Sequence, residues 1–261
     1  MLTDRQRHEA AELLRSAELG VTPVAPLSEA YPGIDTEDAY EIQLVNIRRR
    51  LAAGAEVRGH KVGLSSPVMQ RMMGVDEPDY GHLLHDMELP PGVPVPVARY
   101  CHPRVEVEVG FVLGDDLPGE GCTPRDVFAA TERVVPALEL IDSRIRDWRI
   151  TIADTIADNA SSAGFVIGEG RSPRGLDLGA IEARLTDGDG ELLAEGRGDA
   201  VLGDPAVSVA WLARTVARFG VPLRKGHLVL PGSCTRAVDV EPGATCTADF
   251  TGLGPVSLSF T

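Results

Sequence analysis

The sequence predicts an α+β protein, with a short helical segment over residues 1–55 and a strand-rich body over residues 56–261. Three observations carry this. Apolar residues recur at helical spacing in two N-terminal stretches. After residue 56 the texture changes to short β-type runs punctuated by Gly and Pro. Helical patches at 67–73, 124–133 and 205–219 interrupt those runs, so helices and strands share the larger part.

Each element has its own reason. Residues 4–20 place Ala10, Leu13, Leu14 and Ala17 on one helical face and stop at Gly20. Pro23 and Pro26 make an extended linker. Thr36-Glu37-Asp38 opens a second helix, and Ala39, Ile42, Gln43, Ile47 and Leu51 continue its inner face to Gly54. Arg48-Arg49-Arg50 lies near its C-terminal end, where positive charge suits the helix dipole, and reads as a solvated face. Strands are expected in VRGHKVGLS, VEVEVGFVLG, GFVIG, HLVLPGS and TCTADFTGLGPVSLSF. DGDG at 187–190, between two alternating runs, is a hairpin turn; it lacks the twelve-residue pattern and terminal Glu of a calcium loop. PAVSVAWLARTVARFG reads as a helix ending at Gly220.

Composition bounds the function. Lys and Arg total 25 against 39 Asp and Glu, a formal net charge of −14. Nucleic acid and anionic membrane surfaces call for basic patches, so neither is an expected partner. An anionic small substrate stays open, provided a cation is supplied locally. The first twenty residues carry charges on every turn and lack the apolar region of a signal peptide, and no window approaches 18 unbroken apolar residues. A cytoplasmic protein is expected. Cys101, Cys122, Cys234 and Cys246 form no C-x-x-C pair and read as reduced thiols, Cys234 as an inert one. No G-x-G-x-x-G, Walker A, G-x-S-x-G or H-E-x-x-H motif is present, which disfavours nucleotide cofactors, α/β-hydrolase chemistry and zinc proteolysis. His82 and His85 are spaced i, i+3 but have no third His or Cys nearby, so they read as surface or packing residues. The Arg197-Gly198-Asp199 string carries no weight in an acidic protein of this kind.

The residues that can carry chemistry begin with Val105-Glu106-Val107-Glu108-Val109. Strict alternation makes this a strand whose valines face one side while Glu106 and Glu108 share the other, about 6.6 Å apart at the usual rise. On a solvent face this needs no explanation; facing a cavity, the pair needs a cation. Glu139 sits in the apolar VVPALELID, where an ionised carboxylate needs a partner. That partner is Arg144 or Arg146, or Glu139 joins Glu106 and Glu108 as a third ligand. Three carboxylates and no histidine suit a hard cation, Mg²⁺ or Mn²⁺ rather than zinc. In GHKVGLS, glycines flank His60-Lys61-Val62 and let a backbone or ligand come close. Lys61 is either an exposed strand lysine or an inward one with its pKa pushed down by burial and a neighbouring cation. Asp79 follows Pro78 and reads as loop and turn chemistry. The stretch 158–164, DNASSAG, is either a helix terminus and turn or a source of hydroxyls and N–H groups for a carboxylate.

These motifs also carry a resemblance. GHKVGLSSPVMQRMMGVDEPDYGHLL, PRVEVEVGFVL, PALELIDSRIRDW, DTIADNASSAGFVIG and the C-terminal GLGPVSLSF span nearly the whole chain in order. They resemble the 2-hydroxypenta-2,4-dienoate (2-keto-4-pentenoate) hydratases. Those belong, with the 4-oxalocrotonate decarboxylases, to the fumarylacetoacetate hydrolase superfamily. The resemblance implies a mixed β-roll or sandwich body, a divalent metal (Mg²⁺ or Mn²⁺), and a homo-oligomer, pentameric or decameric. Carried over by position, it implies Glu106, Glu108 and Glu139 as metal ligands, Lys61 and Asp79 as catalytic residues, and Ser161, adjacent to Ser162, beside the substrate carboxylate. SCTRAVDV at 233–240 resembles the hydratases of bacterial steroid catabolism, which act on 2-hydroxyhexa-2,4-dienoate, more than those of aromatic meta-cleavage pathways. The implied reaction adds water to a 2-hydroxydienoate to give a 4-hydroxy-2-oxo acid, which a downstream aldolase would take as substrate. Two other readings stand beside it: a decarboxylase of a 2-oxo-hexenedioate, and a non-catalytic scaffold subunit, against which the intact Lys61, Asp79 and three glutamates speak.

Overall fold

In the computed structural model, all residues are described except 67–69, 72–74 and 76. The helix expected over 67–73 therefore lies outside the described residues, apart from Gln70 and Arg71. The first helix, α1, runs Asp4–Gly20. Thr3 and Gln6 cap it reciprocally, satisfying donors that the first turn leaves free. Its buried face is Ala10, Ala11, Leu14 and Ala17; Leu13, expected on that face, is 42% exposed. After α2 (Leu27–Ala30), α3 runs Thr36–Ala52. Asp35 is its cap, one residue before the expected opening, and accepts from the Asp38 N–H at 2.8 Å. Leu51, expected inside, is 38% exposed, and the buried face ends at Ile47.

The body holds two sheets. The larger contains β1 (Val57–Gly63), β2 (Asp79–Leu84), β3 (Arg104–Leu113), β4 (Thr131–Ile141), β5 (Ser162–Ile167), β8 (Leu228–Leu230) and β9 (Val238–Asp239). Its order is β2-β1-β8-β3-β4-β5, with β9 pairing β3. The β1–β8 pair is parallel and the others are antiparallel. The smaller sheet contains β6 (Glu182–Thr186), β7 (Leu192–Arg197), β10 (Thr245–Phe250) and β11 (Gly254–Ser259), in the order β11-β10-β6-β7. DGDG makes the β6–β7 turn, where the Asp187 N–H donates to the Glu191 carbonyl at 3.0 Å and Gly190 takes φ +87°.

Three helices that lie wholly among the described residues connect the strands: α4 (Pro124–Ala130), α5 (Ile152–Ala157) and α6 (Pro205–Ala217). The α4 helix stops three residues before the expected end. From Thr131 the chain pairs with β3, and β-branched Thr131, Val134 and Val135 suit that strand. Asp79 also departs from expectation: it opens β2, opposite Gly63, instead of lying in a loop.

Both faces of β3 are covered. Val105, Val107 and Val109 are fully buried in one apolar core shared with Ala10, Leu14, Ala39 and Ile42 of the N-terminal helices and Phe250 and Leu258 of the smaller sheet. The opposite face carries the glutamates. That arrangement turns an alternating strand into a wall of a polar site.

Candidate active site

Glu106 and Glu139 are directly opposed in the β3–β4 register, and Glu108 follows Glu106 on the same face of β3. Register alone therefore brings three carboxylates together: one oxygen from each lies within 4.8 Å of the others. Glu108 and Glu139 are fully buried, and Glu106 is half-buried. The Gly232 N–H donates to Glu108 Oε2 at 2.7 Å. Among the described residues, Glu108 Oε1 and both Glu139 oxygens have no hydrogen-bond partner.

Lys61 reaches this cluster from β1. Its Nζ lies 3.4 Å from Glu139 Oε2 and donates to the Ala160 carbonyl at 3.0 Å. The lysine is 2% exposed. Burial works to lower its pKa, as expected, but the carboxylates of Glu139, Asp79, Glu106 and Glu108 outweigh it, and the pKa is raised. Burial pushes Glu106 up to about 7 against the pull of Lys61. Glu108 is held well above the ordinary range by burial, then by Glu139 and Glu106. Glu139 is raised by burial, with Lys61 opposing. Three clustered carboxylates, two of them fully buried, sharing one ammonium are a set that a hard, oxygen-seeking dication fits: its charge would meet theirs, and the unpartnered oxygens would serve as ligands.

Asp79 lies beside the lysine. A Cβ built on Gly63 would meet Asp79 Oδ1 at 2.2 Å and Lys61 Nζ at 3.1 Å, so both polar atoms crowd an α-carbon that has no side chain. Asp79 Oδ2 accepts from Thr155 Oγ1 at 2.7 Å, and Oδ1 has no hydrogen-bond partner. Ser161 and Ser162 are both buried, and the Ser161 hydroxyl makes no hydrogen bond among the described residues.

The 159–161 turn that bears the Lys61 acceptor is an unusual backbone. Asn159, Ala160 and Ser161 take φ of 54°, 50° and 55°, three consecutive non-glycine residues in the left-handed region. It is held from two sides. The Asn159 side chain pairs with His82 of β2 like an extra strand, accepting from its N–H at 2.7 Å and donating to its carbonyl at 2.9 Å. From the other side, buried Arg144 donates to Asp158 Oδ1 at 2.6 Å, the Asp142 carbonyl at 2.6 Å, the Ser162 carbonyl at 3.2 Å and the Asp158 carbonyl. Arg144 is thus the partner of Asp158 and not of Glu139; Arg146 is exposed.

The other candidates fall elsewhere. His82 is buried on β2, with Nδ1 2.8 Å from Gln43 Oε1, and His85 is exposed in the following turn. All four cysteines are free, and burial pushes Cys234 up to about 12, as befits an inert thiol. Sequence reading missed Thr155, Gly232 and the Ala160 carbonyl. Thr155 lies in the quoted stretch DTIADNASS, yet no local pattern marks a helical threonine as the partner of a residue 76 positions away.

A family model for the fumarylacetoacetate hydrolase C-terminal region matches residues 72–260, and the chain belongs to that family. Within it, the chain is 45% identical over 260 residues to a 2-keto-4-pentenoate hydratase of Paraburkholderia xenovorans, covering 99% of this chain and 96% of that protein. It is 42% identical to a 2-hydroxyhexa-2,4-dienoate hydratase of Comamonas testosteroni, covering 99% and 97%. Its structure superposes with a TM-score of 0.96 on a 4-oxalocrotonate decarboxylase of Pseudomonas putida G7 complexed with magnesium and adipate, at 36% identity over 100% of this chain and 99% of that one.

Proposed function

We propose that the chain is a metal-dependent hydro-lyase that adds water to a 2-hydroxy-2,4-dienoate, of five or six carbons, to give a 4-hydroxy-2-oxo acid. One observation carries the reading: three carboxylates, a buried lysine and a buried aspartate converge on a chain 45% identical to a named hydratase. Glu106, Glu108 and Glu139 would hold the metal, Mg²⁺ or Mn²⁺, magnesium being the ion in the decarboxylase relative. When bound, such a cation supplies positive charge for the substrate's acid group and Lewis-acid polarisation of its 2-oxygen.

The chain's own residues supply the rest. Ketonisation removes the 2-hydroxyl proton and delivers one to C5, leaving a 2-oxo-3-enoate. Water then adds its oxygen at C4 and a proton at C3. Lys61 and Asp79 are the proton carriers, because both are buried and their polar atoms lie side by side against Gly63. The unpartnered Ser161 hydroxyl is the donor for the substrate carboxylate. The enclosure of Glu108, Glu139 and Lys61 keeps bulk water from competing with the positioned one.

A decarboxylase relative complexed with magnesium shares this fold, so decarboxylation of a 2-oxo-hexenedioate is the second reading. We further propose a cytoplasmic homo-oligomer, pentameric or decameric, supplying an aldolase, with residues 1–55 as a helical support for the catalytic body 56–261. The deciding experiment follows the ultraviolet loss of freshly generated five- and six-carbon 2-hydroxydienoates with Mg²⁺, Mn²⁺ or EDTA, with product mass. Metal-dependent gain of one water is expected. Inertness toward both dienoates, with CO₂ released from 2-oxo-hexenedioate, overturns hydration in favour of decarboxylation.

A further inference from the structure

Thr155 belongs to α5, where a threonine hydroxyl ordinarily bonds back to the carbonyl of the preceding turn. Here it does not. Oγ1 donates to Asp79 Oδ2 at 2.7 Å, and both residues are buried, at 1% and 4% exposure. The bond spans 76 residues and joins α5 to the first residue of β2. It occupies one carboxylate oxygen and leaves the other, Oδ1, without a partner on the Gly63 and Lys61 side. The helix that carries Thr155 is itself tied down. Gln43 of α3 donates to the carbonyls of Ile156 and Tyr80, the residues directly following Thr155 and Asp79, at 2.7 and 2.9 Å. Asp154, on the other side of Thr155, accepts from the Ser28 N–H and hydroxyl at 3.0 and 2.7 Å.

The geometry points to Thr155 as a positioning residue for Asp79. Its hydroxyl selects which carboxylate oxygen faces the reacting centre, and the Gln43 bridge holds donor and acceptor at a set separation. The inference rests on the reading of Asp79 as a proton carrier. A carboxylate free to rotate about its Cα–Cβ and Cβ–Cγ bonds presents a reactive oxygen only part of the time, so loss of the hydroxyl lowers kcat while leaving substrate affinity almost intact.

The test is a mutant cycle on the full-length, metal-loaded protein with a 2-hydroxydienoate substrate. Thr155→Val is nearly isosteric and removes the hydroxyl; Thr155→Ser keeps it. Asp79→Asn and the Asp79→Asn/Thr155→Val double variant close the cycle. The expected result is a kcat for Thr155→Val about ten- to a hundredfold lower, the scale of a hydrogen bond to a charged group. KM and magnesium affinity by calorimetry stay near wild type, and Thr155→Ser recovers most of the rate. In the Asp79→Asn background the valine costs nothing further, because Thr155 acts only through that carboxylate. A slow Asp79→Asn beside a Thr155→Val of wild-type kcat overturns the inference and leaves the role of Asp79 standing. Additive losses, or a serine variant as slow as the valine, also overturn it. An Asp79→Asn variant with full kcat removes the underlying role of Asp79 itself.

Discussion

Glu106 differs from its two neighbours in exposure: Glu108 and Glu139 are sealed, while Glu106 keeps one side toward solvent. It is the carboxylate at the rim, and its loss is the least damaging to packing. Glu106→Gln keeps size and removes charge, so divalent metal affinity and hydration are expected to fall together, measured by calorimetric titration and by dienoate turnover. Lys61 separates metal from chemistry. Lys61→Ala is expected to retain the metal, since no carboxylate is removed, and to lose about a hundredfold or more in kcat, the usual worth of an acid–base group. A Lys61→Ala enzyme with near-wild-type kcat would refute the role. Lys61 also shows why residue-level reading stops short: a local view sees burial and expects a lowered pKa, whereas four surrounding carboxylates raise it.

Among the elements, the 159–161 turn matters most, because it carries the carbonyl that holds Lys61 and the hydroxyl of Ser161. Three left-handed non-glycine residues in a row are costly and persist only when neighbours overdetermine them. Here the neighbours are His82 of β2, which pairs with the Asn159 side chain, and the Arg144–Asp158 pair. Arg144→Gln leaves the Asp158 carboxylate buried without its cation. Urea unfolding is expected to show a loss of about 3–5 kcal/mol, and kcat is expected to fall as the Ala160 carbonyl leaves Lys61. Unchanged stability would mean that Asp158 finds another partner. Other elements were legible locally. The helix at 4–20 and the one expected over 205–219, which runs Pro205–Ala217, follow from apolar spacing, and the DGDG hairpin from turn chemistry. The end of α4 was not, because Thr131 onward is drawn into β4 by pairing with β3, a contact that no local window contains.

At the scale of the whole molecule, a seam of histidines lies behind the Lys61 strand. His60 and His82 pack at 4.7 Å between ring centroids, His60 and His227 at 5.8 Å. Burial holds His60 well below its ordinary pKa, and His82 at about 4. A base whose folded pKa is depressed stabilises the fold above its unfolded value of about 6.5, and that contribution drains away as pH falls toward 4. For His82 the drain amounts to about 3 kcal/mol, with His60 adding in the same direction. Denaturation profiles of wild type and His82→Gln between pH 7.5 and 4.5 are expected to converge as pH falls, the variant being less stable at neutrality and flatter below it. Parallel profiles would sink this account. The seam also shows how tightly the parts are bound: His82 bonds to Gln43 of α3, and the apolar faces of α1 and α3 pack into the core of the body.

The sequence by itself determined the period of each element and therefore which side chains share a face. Two-residue alternation puts Glu106 and Glu108 together with the valines opposite, and helical spacing sets the inner faces of α1, α3 and α6. The resemblance named the remaining site residues one by one. Only the tertiary structure decided that the glutamate face turns inward, that β4 pairs with β3 in the register opposing Glu139 to Glu106, and that Thr155 and the Ala160 carbonyl attend Asp79 and Lys61. The reason is physical. Periodicity is a property of neighbours along the chain, whereas burial of a charge, strand register and a bond across 76 residues depend on which distant segments the core brings into contact.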